Sequence, residues 1–215
     1  MKLLKKITAG TMMLVAVAAS AQEADNTRSM SPSFGVKGGV NFATVNGDGF
    51  DSPDSRTSFH VGALAEFPLA DMFSVQVEAL YSGQGFEQNY NIPPIPFVTE
   101  GGNRTIEYQL DYINVPILAK VYLFKGFSLE AGPQFGFLVN EEIDSDPTGD
   151  GGDTVTDEAK DFEFGFAGGV TFQTEMGLFA TARYTQGVTE ILEDRQDSDN
   201  KISNSVFQVG IGFKF

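Results

Sequence analysis

The chain has 215 residues, a length typical of one domain, and nothing in its pattern calls for a second. Its 29 acidic and 14 basic residues give a formal charge of −15, which argues against a nucleic-acid partner because phosphate binding requires positive charge. It contains no cysteine, which excludes a disulfide, a thiolate metal site and a lipid-anchored N-terminal cysteine.

The N-terminal residues have the pattern of a signal peptide. Three lysines precede an apolar run over residues 7–19, and Ala19-Ser20-Ala21 supplies the small residues that signal peptidase requires. We therefore predict a signal peptide over residues 1–21, followed by a polar N-terminal periplasmic tail over residues 22–32. Cleavage would remove the three lysines and no acid, so the charge would change from −15 to −18. No later stretch reaches the roughly 20 apolar residues of a transmembrane helix.

Residues 33–215 alternate between apolar and polar side chains with the period of two that is typical of β-strands. In the final stretch, for example, Phe207, Val209 and Ile211 would lie on one face of a strand, with Gln208 and Gly210 on the other. The alternation predicts eight strands, over residues 33–44, 57–67, 73–82, 105–123, 127–139, 162–173, 178–186 and 205–215.

The fourth predicted strand has two irregular features. Its apolar positions shift after Tyr112, from even-numbered to odd-numbered residues, and an extra residue in a bulge near Tyr112 would explain the shift. Counting across the turn at Lys125 places Pro116 opposite about Gln134, next to Pro133. Two prolines remove two backbone donors at nearly the same height, so we expect this hairpin to be the weakest-paired part of the sheet.

The connections between the eight strands alternate between long and short, beginning with a long one. Outer-membrane barrels have short periplasmic turns, long outer loops and, in bacteria, an even number of strands. The final strand can satisfy both of its edges only by pairing with its predecessor and with the first strand. The sequence therefore predicts an all-β fold, a closed eight-stranded antiparallel up-and-down transmembrane β-barrel over residues 33–215, in the bacterial outer membrane.

The sizes of the side chains indicate which face is outside. Fifteen of the 20 phenylalanines lie on the apolar faces, and an eight-stranded barrel is too narrow to hold them inside. The polar faces would then point inward, with both signs of charge, and we expect a paired network there and no wide pore. The predicted inward residues are Lys37, His60, Glu66, Gln76, Glu78, Lys120, Glu130, Gln134, Glu163, Gln173, Arg183 and Lys214.

Two segments resemble the PorT-like outer-membrane β-barrel family. Residues 110–120 read LDYINVPILAK, and residues 128–136 read SLEAGPQFG, similar to the family's tyrosine-then-xxPLLxK strand and its xxGPxxG strand. The opening FGVKGGVN and the aromatic end at Phe215 extend the resemblance over the mature chain. The resemblance implies a small outer-membrane barrel, and PorT itself is associated with a protein-secretion and gliding apparatus. The aromatic end is similar to the signal that barrel-assembly machinery recognises.

Three features suggest more specific chemistry. Ser58 and His60 could form a hydrolase pair, although both are predicted to point into the lumen, whereas lipid-deacylating sites must face lipid. Residues 144–153 resemble a calcium loop, but Val155 stands where the bidentate glutamate would be expected. The apolar, proline-rich residues 92–98 could dock a partner or fold back over the mouth of the barrel.

The sequence assigns no catalytic, cofactor-binding or metal-ligating residue. Its predicted function is a non-enzymatic membrane scaffold or binding module that acts through acidic outer loops. A narrow porin-like channel for small solutes or ions, and a component of a protein-secretion apparatus, are alternatives. The expected partners are outer-membrane lipid, barrel-assembly machinery through the C-terminal strand, and a protein or glycan at the outer loops.

Overall fold

The computed structural model describes residues 31–46, 54–92, 102–144, 154–155, 160–189 and 203–215. Regular structure within these ranges consists of β-strands joined by turns. No helix among the described residues is long and apolar enough to cross a membrane. The strands are β1 (Ser33–Asn46), β2 (Asp54–Ala70), β3 (Phe73–Ile92), β4 (Gly102–Phe124), β5 (Phe127–Asp144), β6 (Thr154–Val155), β7 (Phe162–Gln173), β8 (Leu178–Gly187) and β9 (Ser203–Lys214).

The eight long strands form a closed ring. Their order is β4-β3-β2-β1-β9-β8-β7-β5, and β5 pairs again with β4. All of these pairings are antiparallel, and β1 pairs with β9 from Gly35 opposite Lys214 to Asn46 opposite Ser203. Strand β6 adds only a two-residue pairing to the end of β5. The predicted eight-stranded antiparallel barrel is confirmed, because every long strand has a partner on both edges.

One end of the barrel has only tight turns. The three short connections contain Met72, Gly126 and Gly177. Gly126 and Gly177 have φ angles of +81° and +90°, at which any residue with a side chain would be strained. The other end carries the long connections, which lie mostly outside the described residues. We call these ends the turn end and the loop end. The predicted alternation of short and long connections is confirmed.

The apolar face of the barrel points outward. Phe59 and Val61 are 56% and 51% exposed, whereas His60 between them is 1% exposed. Twelve phenylalanines have large exposed fractions, while Phe86 and Phe179 are buried inside. The predicted inward charges are all buried, in agreement with the argument from side-chain size. A continuous apolar exterior over the strands requires a hydrocarbon environment.

Glycine makes room for the larger inward side chains. The ring of His60 lies over Gly39 and Gly210, and a Cβ atom at Gly39 would lie 2.8 Å from Cε1 of His60 and 2.5 Å from the Cα atom of Gly210. Real Cβ atoms do not approach other atoms so closely, and a backbone atom cannot move aside as a flexible side chain can. The small residues on the polar face therefore permit the histidine ring to pack against the inner wall.

The predicted bulge in β4 is wrong. Leu110 and Tyr112 are buried inside the barrel, in the same phase as Asn114, so β4 has no extra residue at Tyr112. The irregularity lies in the partner strand, where Asp111 is opposite Asn140 but Tyr112 is opposite Leu138. The apparent shift arose because β4 carries apolar side chains inward near the loop end, where they belong to an apolar cluster. Its buried members are Val45, Phe86, Leu110 and Tyr112.

Pro116 lies opposite Gln134, as predicted. The β4–β5 ladder is interrupted between this pair and the pair Ala119–Ala131, although the register is unchanged. On its other edge, β4 pairs with β3 at Ile117 and then not again until Asn114. Both gaps lie next to Pro116, which has no N–H group to donate to a neighbouring strand.

The strands β3 and β4 extend well beyond the ring at the loop end. Residues 83–104 were predicted to be a loop, but β3 continues to Ile92 and β4 begins at Gly102, with pairs as far as Ile92 opposite Gly102. Polar residues and the glycine at position 85, with a φ angle of +121°, obscured this extension in the sequence. The hairpin stands above the part of the barrel where all eight strands pair.

Candidate functional site

Seven charged side chains form a connected network inside the barrel, which we call the lumenal network. Its three glutamates each contact two cations, so no carboxylate within it is left unpaired. Glu78 contacts Lys37 and Arg183, Glu130 contacts Arg183 and Lys120, and Glu66 contacts Lys120 and Lys214. The predicted pairing of inward charges is confirmed for these residues.

Arg183 is the centre of the lumenal network. Its Nη1 and Nη2 atoms donate to both oxygens of Glu78 at 2.8 and 2.7 Å, and its Nε and Nη2 atoms donate to Oε1 of Glu130 at 2.9 and 2.6 Å. Arg183 lies on β8 and Glu78 on β3, which are four strands apart in either direction around the ring. The guanidinium group therefore links opposite walls of the barrel.

Neutral side chains complete the hydrogen bonding of the glutamates. Thr171 donates to Oε2 of Glu130 at 3.0 Å, and Ser74 donates to Oε1 of Glu66 at 2.6 Å. Gln76 donates to Oε1 of Glu78 at 2.5 Å and accepts from Nζ of Lys120 at 3.1 Å. Buried charge is tolerable where it is both paired and hydrogen-bonded, and the lumenal network meets both conditions.

Ser58 and His60 do not form a catalytic pair in this arrangement. The hydroxyl of Ser58 donates to the carbonyl of Gly83 at 2.6 Å, while Nδ1 of His60 lies 2.7 Å from Oδ1 of Asn41. Gln208 also donates to that oxygen, at 3.1 Å. His60 is thus held by neutral amides and Ser58 by the backbone, which matches a role in lumenal packing.

Glu163 differs from the other lumenal glutamates. It lies on β7 towards the loop end, is 6% exposed, and accepts a hydrogen bond from Nδ2 of Asn204 at 3.1 Å. No lysine or arginine among the described residues contacts its carboxylate. The sequence placed Glu163 inside, but its separation from every described cation depends on the register and could not be foreseen.

A row of carboxylates crosses four adjacent strands at the loop end. Asp54 lies opposite Glu87, Glu87 opposite Glu107, and Glu107 opposite Asp144, and we call these four residues the acidic row. Arg56 forms an ion pair with Glu107. Burial, together with the neighbouring Glu107 and Asp54, raises the pKa of Glu87. The row concentrates negative charge where the sheet rises above the ring.

Two predicted features lie outside the described residues. The calcium-like loop is described only at Asp144, and the proline-rich segment only at the backbone of Ile92. Over the described part of the chain, no group of three or more His, Cys, Asp or Glu side chains is arranged to hold a metal ion. The calcium loop and the partner-docking segment remain predictions.

The chain is similar to several solved structures. The chain is similar to Neisserial surface protein A, with 14% identity, a TM-score of 0.55, and coverage of 86% of this chain and 99% of that one. It is also similar to Ail of Yersinia pestis (14% identity, TM-score 0.49, coverage 86% and 99%) and to OprG of Pseudomonas aeruginosa (16% identity, TM-score 0.43, coverage 86% and 96%). No curated protein sequence matches the chain.

A family profile described as the outer membrane protein beta-barrel domain matches residues 21–193. The match covers most of the closed ring, and the apolar exterior, filled polar interior and eight antiparallel strands agree with it. The protein is therefore located in the bacterial outer membrane. The chain belongs to the outer membrane protein beta-barrel domain family.

Proposed function

We propose that this protein is a non-enzymatic scaffold or binding module of the outer membrane, and that its acidic loop-end surface binds a positively charged partner. The acidic row carries the proposal, because Asp54, Glu87, Glu107 and Asp144 are direct cross-strand neighbours although like charges in such positions repel one another. A row that costs stability is reasonable where its charge serves recognition.

The contacts across the lumen support a scaffold over a channel. Arg183 bonds to Glu78 on the opposite wall and to Glu130, with polar contacts between 2.6 and 2.9 Å, and solutes would have to pass these contacts. The alternative is a narrow channel for small solutes or ions. Planar-bilayer recordings of the refolded full-length chain test the choice: we expect a folded barrel without steady conductance. A steady conductance that changes in Lys37→Met or Glu130→Gln would overturn the scaffold proposal in favour of a channel.

The binding role is tested with the protein displayed in lipid vesicles. We expect the vesicles to bind basic peptides on an array in a salt-sensitive way, and to lose that binding in the triple variant Asp54→Asn, Glu87→Gln, Glu107→Gln. Glu175→Gln, on a turn at the opposite end, is the matched control and should bind as the wild type does. Equal binding of basic peptides by the triple variant would show that the acidic row is not the binding surface. Selective binding to a glycan array would show that the partner is a glycan and not a basic protein.

A more specific role follows from the PorT-like motifs at residues 110–120 and 128–136. We infer that the barrel serves a protein-secretion apparatus. We also propose that barrel-assembly machinery is its partner during biogenesis, and that its signal peptide is cleaved after Ala21. Deletion of the gene should then reduce the set of secreted proteins, and N-terminal sequencing of the mature chain should begin at Gln22. An unchanged set of secreted proteins would leave the scaffold proposal standing without the secretion role.

A further inference from the structure

Glu163 is a buried carboxylate whose charge no described residue balances. The three glutamates of the lumenal network contact two cations each, whereas Glu163 has one hydrogen bond to the described residues, from the amide of Asn204 at 3.1 Å. An isolated carboxylate inside a protein is strongly unfavourable, so a buried one is normally paired, coordinates a cation or is neutralised. The contrast within one lumen indicates that a group other than the described side chains completes this site.

Two asparagine side chains near Glu163 have amide oxygen atoms that accept no hydrogen bond from the described residues. Asn114 is 1% exposed and neither polar atom of its amide has a hydrogen-bond partner among the described residues, so an unpartnered acceptor is present whichever way the amide is turned. Oδ1 of Asn204, which is also 1% exposed, likewise has no partner in the described part of the chain. These atoms are buried polar groups whose hydrogen-bonding capacity is unused, and each such group requires an explanation.

Glycines keep the space beside Glu163 open. Gly136 lies between Asn114 and Glu163 in the register, and a Cβ atom there would lie 2.9 Å from Oδ1 of Asn114 and 3.3 Å from Cβ of Glu163. On the opposite side, a Cβ atom at Gly187 would collide with Oε1 of Glu163. Any larger residue on either flank would occupy the space around the carboxylate.

We propose that Glu163, with the side-chain oxygens of Asn114 and Asn204, binds a monovalent alkali cation at the loop end of the lumen. One carboxylate and neutral amide oxygens together carry a single negative charge, which one sodium or potassium ion balances. Calcium sites recruit several carboxylates, and no group of three or more acidic or histidine side chains of that kind occurs among the described residues. The ion completes the charge balance that side chains provide in the lumenal network.

The test is the dependence of stability on the cation. The refolded full-length chain in phosphatidylcholine vesicles is unfolded with urea at mildly alkaline pH, while sodium replaces choline at constant ionic strength. Since a ligand that binds only the folded state stabilises it by mass action, the unfolding constant of the wild type should fall about tenfold for each tenfold rise in sodium above saturation. Glu163→Gln should remain folded and show no dependence on sodium.

Two further variants separate the site from general salt effects. Glu175→Gln makes the same charge change on an exposed turn and should keep the sodium dependence, whereas Gly136→Ala keeps the carboxylate but fills the adjacent space and should weaken the dependence. Sodium NMR on the same vesicles provides a readout that does not depend on unfolding: the wild type should broaden the sodium signal more than Gly136→Ala does. A wild type whose stability and sodium signal do not respond, or a Glu163→Gln variant with the wild-type response, would overturn the proposal.

Discussion

Replacing Arg183 by methionine should destabilise the barrel by about 3 to 5 kcal/mol, because it leaves two buried carboxylates with incomplete partners. The four hydrogen bonds of the guanidinium group lie between 2.6 and 2.9 Å, and a hydrogen bond to a charged group contributes roughly 1.5 to 3 kcal/mol. A simple sum would exceed the expected loss. The four bonds share atoms, however, and Glu78 keeps Lys37 at 3.2 Å while Glu130 keeps Lys120 at 3.7 Å.

The assay is urea unfolding of the full chain in lipid vesicles, followed by far-ultraviolet circular dichroism because the chain has no tryptophan. Arg183→Lys should fall between the wild type and Arg183→Met, since an ammonium group keeps the charge but not the planar fork. Lys125→Met, which removes an exposed ion pair with Glu175, is the control and should change stability by less than about 1 kcal/mol.

A double-mutant cycle with Glu78→Gln then tests the coupling. Residues in one buried network should show an interaction free energy of roughly 0.5 to 3 kcal/mol. The reasoning would be refuted if Arg183→Met cost less than about 1 kcal/mol, or if its effect and that of Glu78→Gln simply added.

Three other predictions concern the loop end, the lumen and the closing strand. The raised pKa of Glu87 means that its ionisation is less favourable in the folded state, so this group lowers stability as the pH rises through its pKa. In urea titrations, Glu87→Gln should raise the free energy of unfolding by about 0.2 to 1 kcal/mol at neutral pH and should not change it near pH 3. Gly39→Ala should lower the free energy of unfolding by about 1 to 3 kcal/mol, because the new Cβ atom would collide with backbone atoms. Gly168→Ala should leave stability nearly unchanged in the same assay, because its Cβ atom would lie 3.9 Å from a carbonyl oxygen. Phe215→Ala should reduce insertion by the assembly machinery in cells but not refolding into detergent, since the side chain is 59% exposed and the closing hydrogen bonds come from the backbone.

Each of these has a contradicting outcome. If Glu87→Gln still raised the free energy of unfolding near pH 3, the added stability would not arise from the loss of an ionised group. Equal losses for the two glycine variants would mean that close packing inside the lumen is not the cause. Phe215→Ala protein that is inserted normally in cells would show that the aromatic end is not what the machinery reads.

The alternation of side chains was enough to predict the strands and their faces, because a period of two assigns every residue to one side of a sheet. The choice of partners was not predictable. The stagger of the eight strands around the ring decides which charged side chains form ion pairs, such as Glu78 with Arg183. Residues in contact across the lumen also lie on strands that are far apart in the sequence.

The two errors in the predicted strands have a common origin at the loop end. There β4 carries apolar side chains such as Leu110 and Tyr112 inward, so its inward positions are not polar and the pattern appears to slip. Above this level the hairpin of β3 and β4 consists largely of polar residues, which show no alternation for a sequence pattern to detect. Patterning therefore predicts a strand only where its two faces meet different surroundings.

The pairing of Phe34 with Phe215 has a consequence for how the barrel forms. Their backbones exchange hydrogen bonds of 3.4 and 2.8 Å, which join β1 to the end of β9. Contacts between residues so distant in the sequence close large loops, and a topology rich in them folds slowly. Neither edge of the incomplete sheet is satisfied until this seam forms, so the time before closure is when the chain is most open to pairing with another copy of itself.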